Sequence, residues 1–272
     1  MYKLLATDLD GTLLDSRSQI SPQNLAALKA ARAAGAYVVL CSGRSHHSII
    51  HFETPLGLRE RGNYGIAFNG GVVYEADTRA VIHTVPMPNA TFRFIIGELA
   101  AIRAARRMDF DLTAYIAGEL FANAVTPGLI EYAAKSDIPY TIIPTFATVT
   151  TDATKILLRG ENADLLAVYD RLAPQAPGRF NVFFSFPTLL EFTAPGADKG
   201  AGLAFLAAHL GLPLSACIAA GDFANDIPML KAAGLGVAIR GAAPDVLAAA
   251  DYVTEATCDE SAIAEIVNKF IL

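Results

Sequence analysis

Two acids stand one residue apart where an apolar run ends. The opening stretch MYKLLATDLDGTLLD carries Asp8 and Asp10 just after Leu4 to Ala6. Residues two apart in an extended chain point to the same side, so both carboxylates can face one ligand. Like charges this close repel strongly unless a cation lies between them. Gly11 follows, where the backbone can turn without a side chain in the way. A second acidic segment, GDFANDIPML over 221–230, again follows a short apolar run and supplies Asp222, Asn225 and Asp226. Pro228 is tolerated only in the first turn of a helix, so the helix starts just before it. That puts Asp222 in a loop and Asp226 at a helix N-terminus. Acids from two adjacent strand ends would make an oxygen-rich pocket, and oxygen donors favour Mg2+.

Two further segments can handle an anion. In CSGR, 41–44, the Ser42 hydroxyl and the N–H groups around Gly43 precede a predicted helix start, an arrangement that can hold phosphate oxygens. In ADKG, 197–200, Lys199 opens a helical run, and its compact ammonium can neutralise a carboxylate or a phosphate. Each segment alone also has a plain structural reading: an acidic turn, an N-cap, a helix cap, a surface lysine. The chemistry depends on a fold that brings all four together.

The elements that must do so are legible as alternating short apolar runs and helical patterns. Tyr2 to Thr7, Tyr37 to Cys41, Ala216 to Ala220, Gly236 to Ile239 and Asp251 to Val253 read as buried strands. Pro22 to Ala34 reads as a helix capped by Ser21 and stopped at Gly35, and Ile227 to Ala233 and Ala243 to Ala249 are further helical patterns. This alternation predicts an α/β fold, a doubly wound, Rossmann-like parallel sheet with helices on both faces. Ligands of such sheets bind beyond the C-terminal strand ends. The middle differs. Asn89 to Arg107 and Ala163 to Leu172 read as helices, and Asp111 to Ile116, Thr154 to Arg159, Phe180 to Phe186 and Leu189 to Thr193 as strands. An inserted α+β unit over 84–188 is expected, between sheet-domain segments 1–83 and 189–272.

Bulk properties narrow the partners. The 272 residues are 53% hydrophobic and 18% charged, a folded globular composition. A formal net charge of -6 argues against a nucleic-acid partner; the short basic patch Arg103, Arg106 and Arg107 reads as a solvated helix face. Cys41, Cys217 and Cys258 lack metal-site spacing and point to a reducing compartment. None has an arginine six positions on, as a cysteine-based phosphatase loop would need. No signal peptide is visible. The uncharged stretch Ala201 to Ala220 is interrupted by His209, Gly211 and Pro213, so it reads as helix, turn and strand, with no membrane span. A soluble cytoplasmic protein is expected. His46, His47 and His51 invite a zinc reading, but no adjacent third ligand is evident and exposed helix histidines account for them. No G-x-G-x-x-G follows the first strand, which weighs against a dinucleotide-binding module.

Taken in order, DLDGT, SGR, Lys199 and GDFANDIPML resemble the four motifs of the haloacid dehalogenase superfamily of aspartyl-phosphate phosphatases. FNGG at 68–71, TKILL at 154–158 and ADYVT at 250–254 are similar to stretches of its Cof-type branch in subfamily IIB, whose cap is an α/β insertion between the second and third motifs. The resemblance implies a Mg2+-dependent phosphatase acting on a small phosphorylated metabolite, a sugar phosphate or a phosphorylated cofactor. It implies Asp8 as nucleophile and Asp10 as general acid and base. Mg2+ would sit on Asp8, Asp10 through its backbone carbonyl, and Asp222, with Asp226 in direct or supporting contact. Ser42, Gly43, Lys199 and Asn225 would bind phosphate, Lys199 would also act in catalysis by contacting Asp8, and Thr12 would brace the first loop. Arg44 fits a structural or cap-facing place better than a catalytic one. The chain departs from the pattern at Phe223, where a second Gly is usual, and at Arg240 to Ala243, where a Gly-Asn-Ala stretch is common. These changes bear on substrate preference more than on chemistry. A phosphomutase with the same chemistry, told apart by isomer formation in place of phosphate release, and an idle phospho-metabolite sensor are the competing readings. Oligomeric state stays open.

Overall fold

The computed structural model describes residues 2–106, 108 and 110–272. It divides into two compact units, one formed by Met1–Thr84 with Asp198–Leu272 and the other by Val85–Ala197. In chain order the first unit opens with β1 (Leu4–Thr7), α1 (Pro22–Ala33), β2 (Tyr37–Cys41), α2 (His46–Leu56), β3 (Tyr64–Ala67), β4 (Val72–Glu75) and β5 (Val81–Thr84). The second unit comprises α3 (Asn89–Arg106), β6 (Phe110–Ile116), β7 (Glu119–Ala122), α4 (Pro127–Ser136), β8 (Tyr140–Ile142), β9 (Lys155–Gly160), α5 (Asn162–Leu172), β10 (Asn181–Phe186) and β11 (Leu189–Thr193). The first unit then resumes with α6 (Lys199–His209), β12 (Cys217–Gly221), α7 (Ile227–Ala232), β13 (Leu235–Ala238), α8 (Pro244–Ala249), β14 (Tyr252–Val253) and α9 (Ala262–Phe270).

Among the described residues the first unit holds an eight-stranded sheet in the order β14-β13-β12-β1-β2-β3-β4-β5. It is parallel from β14 to β3, and β4 and β5 extend it antiparallel. Every residue of β1 and β12 is buried, so both faces of the sheet are covered. Leu4 and Ala6 pack with Leu203 and Leu206 of α6 and Met229 and Leu230 of α7. The intervening Leu5 faces the other side by strand alternation. The strand order reverses between β1 and β12, because β1 leads on to β2 and β3 while β12 leads away to β13 and β14. Such a reversal leaves a crevice at the carboxyl ends of the two strands. Local signals explain the helix ends. The Ser21 side chain accepts from Asn24 N at the start of α1, and Gly35 beyond its end has φ 86°.

The second unit has a six-stranded sheet in the order β10-β11-β9-β6-β7-β8. Alternate residues of its inner strands, Leu112 and Ala114, Ile156 and Leu158, Leu190 and Phe192, join Phe92, Ile95 and Leu99 of α3 and Leu165, Val168 and Leu172 of α5 in one core. The boundary at the insertion's end differs from the expected 188. Strand β11 pairs with both β10 and β9, so it sits inside this sheet and the unit runs on to Ala197. The hairpin signal at Pro187 marks a turn within the unit. Arg103 donates to Phe110 O and its guanidinium lies 4.4 Å from that ring's centre, so it is partly covered and not a fully solvated face. Arg107 lies outside the described residues. Among those residues, no helix is long and apolar enough to cross a membrane.

One contact controls how α6 begins. A 3-10 turn at Phe68–Gly70, after β3, runs against the N-cap of α6. Gly70 has φ 86°, and a Cβ added there would lie 1.9 Å from Asp198 O. Neither the backbone angle nor the space admits a side chain. Gly70→Ala is expected to cost about 3 kcal/mol or more in denaturant unfolding, because backbone on both sides must move; a loss below about 1 kcal/mol would show that the seam is slack.

Candidate active site

The reversal in strand order places three strand ends side by side. Asp8 follows β1, Ser42 follows β2, and Asp222 follows β12. The ladder runs past the strand ends, with Asp8 N donating to Ala220 O at 3.0 Å and Ser42 N to Ile66 O at 2.9 Å. Lys199 arrives from the first position of α6, whose N-cap Asp198 accepts from Ala201 N at 2.8 Å. Its side chain is 0% exposed. The ammonium donates to Asp8 Oδ1 and to Asp226 Oδ1, each at 2.5 Å. A buried charge is tolerated only when paired and hydrogen-bonded, and these two carboxylates supply both.

Asp226 is a hydrogen-bond hub. Its Oδ2 accepts from Asp222 N and Phe223 N, both at 3.0 Å, while Oδ1 takes Lys199. The carboxylate thereby folds the β12–α7 loop and sets where Asp222 stands. Asp222 is fixed from the other side by Thr12, whose hydroxyl donates to Asp222 Oδ1 at 2.6 Å. Gly11 makes that approach possible: it has φ 81°, and a Cβ there would lie 2.4 Å from Asp222 Oδ2. Asp8 Oδ2, by contrast, has no protein donor among the described residues.

The phosphate-side candidates meet on a residue, Asn69, that the sequence reading did not place in the site. The Asn225 amide donates to Asn69 Oδ1 at 2.9 Å. Asn69 N donates to Ser42 O, and a Cβ on Gly43 would lie 2.9 Å from Asn69 Oδ1. Buried Asn69, at φ 55°, therefore ties the Ser42–Gly43 loop to the Asp222–Asp226 loop. The FNGG stretch was its signal, an Asn followed by glycines directly after a strand. Ser42 Oγ accepts from Arg44 N at 3.2 Å. Arg44, expected to be structural or cap-facing, reaches Asp10: Nε donates to Oδ2 at 2.8 Å and Nη2 to Oδ1 at 2.7 Å. Helix α2 behind this loop is held by buried Glu53, which accepts from Tyr74 OH at 2.5 Å and Arg79 Nη1 at 2.7 Å.

Asp8, Asp222 and Asp226 present carboxylate oxygens within 4.8 Å of one another. The Asp10 carboxylate lies outside this cluster and pairs with Arg44, so any contact of Asp10 with a cation falls to its backbone carbonyl, as expected from the resemblance. Three carboxylates face one ammonium here, so negative charge is in excess. Burial pushes the Asp8 carboxyl well above its usual range, the Lys199 ammonium pulls it back, and the neighbouring acids raise it further. Burial lifts Asp222 to about 6 against the opposing Thr12 hydrogen bond. Burial disfavours the Lys199 charge, but Asp226 and Asp8 outweigh it and raise its affinity for the proton. An oxygen-only, overcharged and half-enclosed donor set suits a hard divalent cation such as Mg2+. The histidines belong to no such cluster among the described residues. His46 is also not an exposed helix residue as expected: it is buried, its Nδ1 has no partner among the described residues, and burial holds it neutral with a pKa near 4.

A parallel sheet whose carboxyl edge gathers three acids and a buried lysine has its ligand crevice at that edge. The chain belongs to the haloacid dehalogenase-like hydrolase family, which residues 5–267 match. It is 27% identical over 248 residues to the HMP-PP phosphatase of Citrobacter koseri, covering 91% of this chain and 88% of that one. A haloacid dehalogenase-like hydrolase from Bacteroides thetaiotaomicron has a similar structure, with a TM-score of 0.84 and 29% identity over 99% of each chain. The subclass IIB sugar phosphatase BT4131 superposes with a TM-score of 0.81 and 25% identity over 98% of each.

The raised carboxyl of Asp222 has a consequence for stability. Between pH 3.8 and about 6 the folded state holds more protons than the unfolded chain, so stability falls as pH rises through that window. In EDTA, thermal melts are expected to drop across this range by on the order of 2 kcal/mol, and Asp222→Asn is expected to flatten the slope. Added Mg2+ should raise the melting temperature most at the high-pH end; a melt indifferent to Mg2+ at pH 7 would show that the three acids hold no cation.

Proposed function

We propose that this protein is a Mg2+-dependent phosphatase that hydrolyses small phosphorylated metabolites, sugar phosphates or phosphorylated cofactors, through an aspartyl-phosphate intermediate. The observation that carries the reading is the buried Lys199 ammonium fixed between Asp8 and Asp226 while Asp8 Oδ2 has no protein donor among the described residues. Lysine orients the carboxylate through one oxygen, and the other is left to attack phosphorus. The phosphatase names of the relatives support the substrate class.

Asp8 forms the bond to phosphorus as the ester bond to the leaving oxygen breaks. Asp10 gives that oxygen a proton, then takes one from the water that cleaves the acyl phosphate. Ser42, the N–H groups around Gly43, Asn225 and Lys199 hold the phosphoryl oxygens. The carboxylates of Asp8 and Asp222 and the backbone carbonyl of Asp10 would hold Mg2+, with Asp226 supporting them because its own oxygens already accept three donors. Mg2+, when bound, neutralises charge between an anionic nucleophile and a dianionic ester. The inserted unit, Val85–Ala197, is assigned to substrate selection as a cap.

Asp8→Asn is expected to reduce turnover of an aryl phosphate by at least about 10³-fold with the fold intact by circular dichroism. EDTA should abolish phosphate release from the native chain and Mg2+ restore it. Full activity in the Asn variant would overturn the nucleophile, and activity indifferent to chelation would overturn the metal. A panel of phosphorylated metabolites ranked by kcat/KM would name the substrate.

A further inference from the structure

We infer that Arg44 is the positioning residue for proton transfer by Asp10, an inference that rests on reading Asp10 as the proton donor. The two side chains meet in a two-point pairing, Nε to Oδ2 at 2.8 Å and Nη2 to Oδ1 at 2.7 Å. A planar guanidinium bound to both oxygens fixes the plane of the carboxylate and the rotation of its side chain, which a single point charge does not do. Asp10 needs such an external hold. It is partly exposed, with 32% of its side chain open, and it lies outside the carboxylate cluster that fixes Asp8 and Asp222.

Arg44 is itself held by its backbone and by its ring contact. Its backbone N donates to the Ser42 hydroxyl, its backbone O accepts from Phe68 N, and its guanidinium lies 5.3 Å from the centre of the Phe52 ring on α2. Ser45, the next residue, caps α2 by accepting from Ser48 N. The orientation of the Asp10 carboxylate is therefore delegated to the second strand–helix connection and not to its own loop. Each oxygen of a carboxylate keeps a lone pair while accepting one hydrogen bond. One oxygen of Asp10 can thus carry the proton that passes to the ester oxygen as the phosphorus–oxygen bond breaks. The bonding pair leaves with that oxygen, and the same carboxylate later accepts a proton from the attacking water. Positioned proton transfer contributes about 10²- to 10⁴-fold, and it matters most where the leaving group is poor.

The test compares kcat for an activated ester, p-nitrophenyl phosphate, with kcat for an alkyl phosphate, glycerol phosphate, in the native enzyme with Mg2+ and in three variants. Arg44→Ala is expected to lose about 10²-fold on the alkyl ester and less than about 5-fold on the aryl ester. Arg44→Lys keeps the charge but not the fork, and is expected to recover only part of the loss; it also serves if the alanine variant fails to fold. Equal losses on both esters, no loss on either, or full recovery by Lys would overturn the inference. Asp10→Asn separates the two levels. If it shows the alkyl-selective loss and Arg44→Ala does not, only the positioning role falls. If Asp10→Asn loses both esters equally, the proton-transfer reading falls and takes the inference with it.

Discussion

The first unit is organised around one ammonium that has no access to water. Lys199 can remain charged at 0% exposure only because Asp8 and Asp226 accept from it. Removing a partner from a buried pair of this kind leaves an uncompensated charge and costs about 3–5 kcal/mol. The three groups come from the end of β1, the start of α6 and the loop after β12. The ion contact therefore requires the whole parallel arrangement, and the arrangement in turn delivers Asp222 next to Asp8. Structure and chemistry share the same atoms here, so the site cannot be loosened without loosening the sheet.

The same economy is visible in Asp226. Its two oxygens accept from one side chain and two backbone N–H groups, so a single carboxylate shapes the loop, compensates the lysine and adds to the local negative potential. Thr12 and Gly11 bring Asp222 in from the other side by a hydroxyl and by the lack of a side chain. The outcome is a charge imbalance held in place by packing. Such a preorganised excess of carboxylate oxygens suits a hard divalent cation and needs no rearrangement to accept one.

Much of this was legible because strand ends, helix starts and acid spacing are local properties. Pro228 announced where a helix must begin and so placed Asp226, and Ser21 and Gly35 bracketed α1. What stayed hidden depends on pairs far apart in the chain. The Lys199–Asp8 contact, across 191 positions, was expected only through the family resemblance, because nothing near Lys199 distinguishes a buried ammonium from a surface one. Asn69 links two loops through hydrogen bonds that no spacing rule anticipates, and Arg44 meets Asp10 across 34 positions. The end of the inserted unit was misplaced because a tight turn reads the same within a sheet as between two units; only the pairing of β11 on both edges decides.

The insertion also sets an order of assembly. β1 has two neighbours in the sheet, β2 from the early part of the chain and β12 from beyond the inserted unit. During synthesis from the N-terminus, β2 emerges soon after β1, while β12 appears only after all of Val85–Ala197 has been made. Until then one side of β1 is an unpaired edge with open backbone N–H and C=O groups, the kind of surface that invites association with other chains. The nascent protein therefore carries half a sheet and half a site for the time it takes to translate an entire second unit.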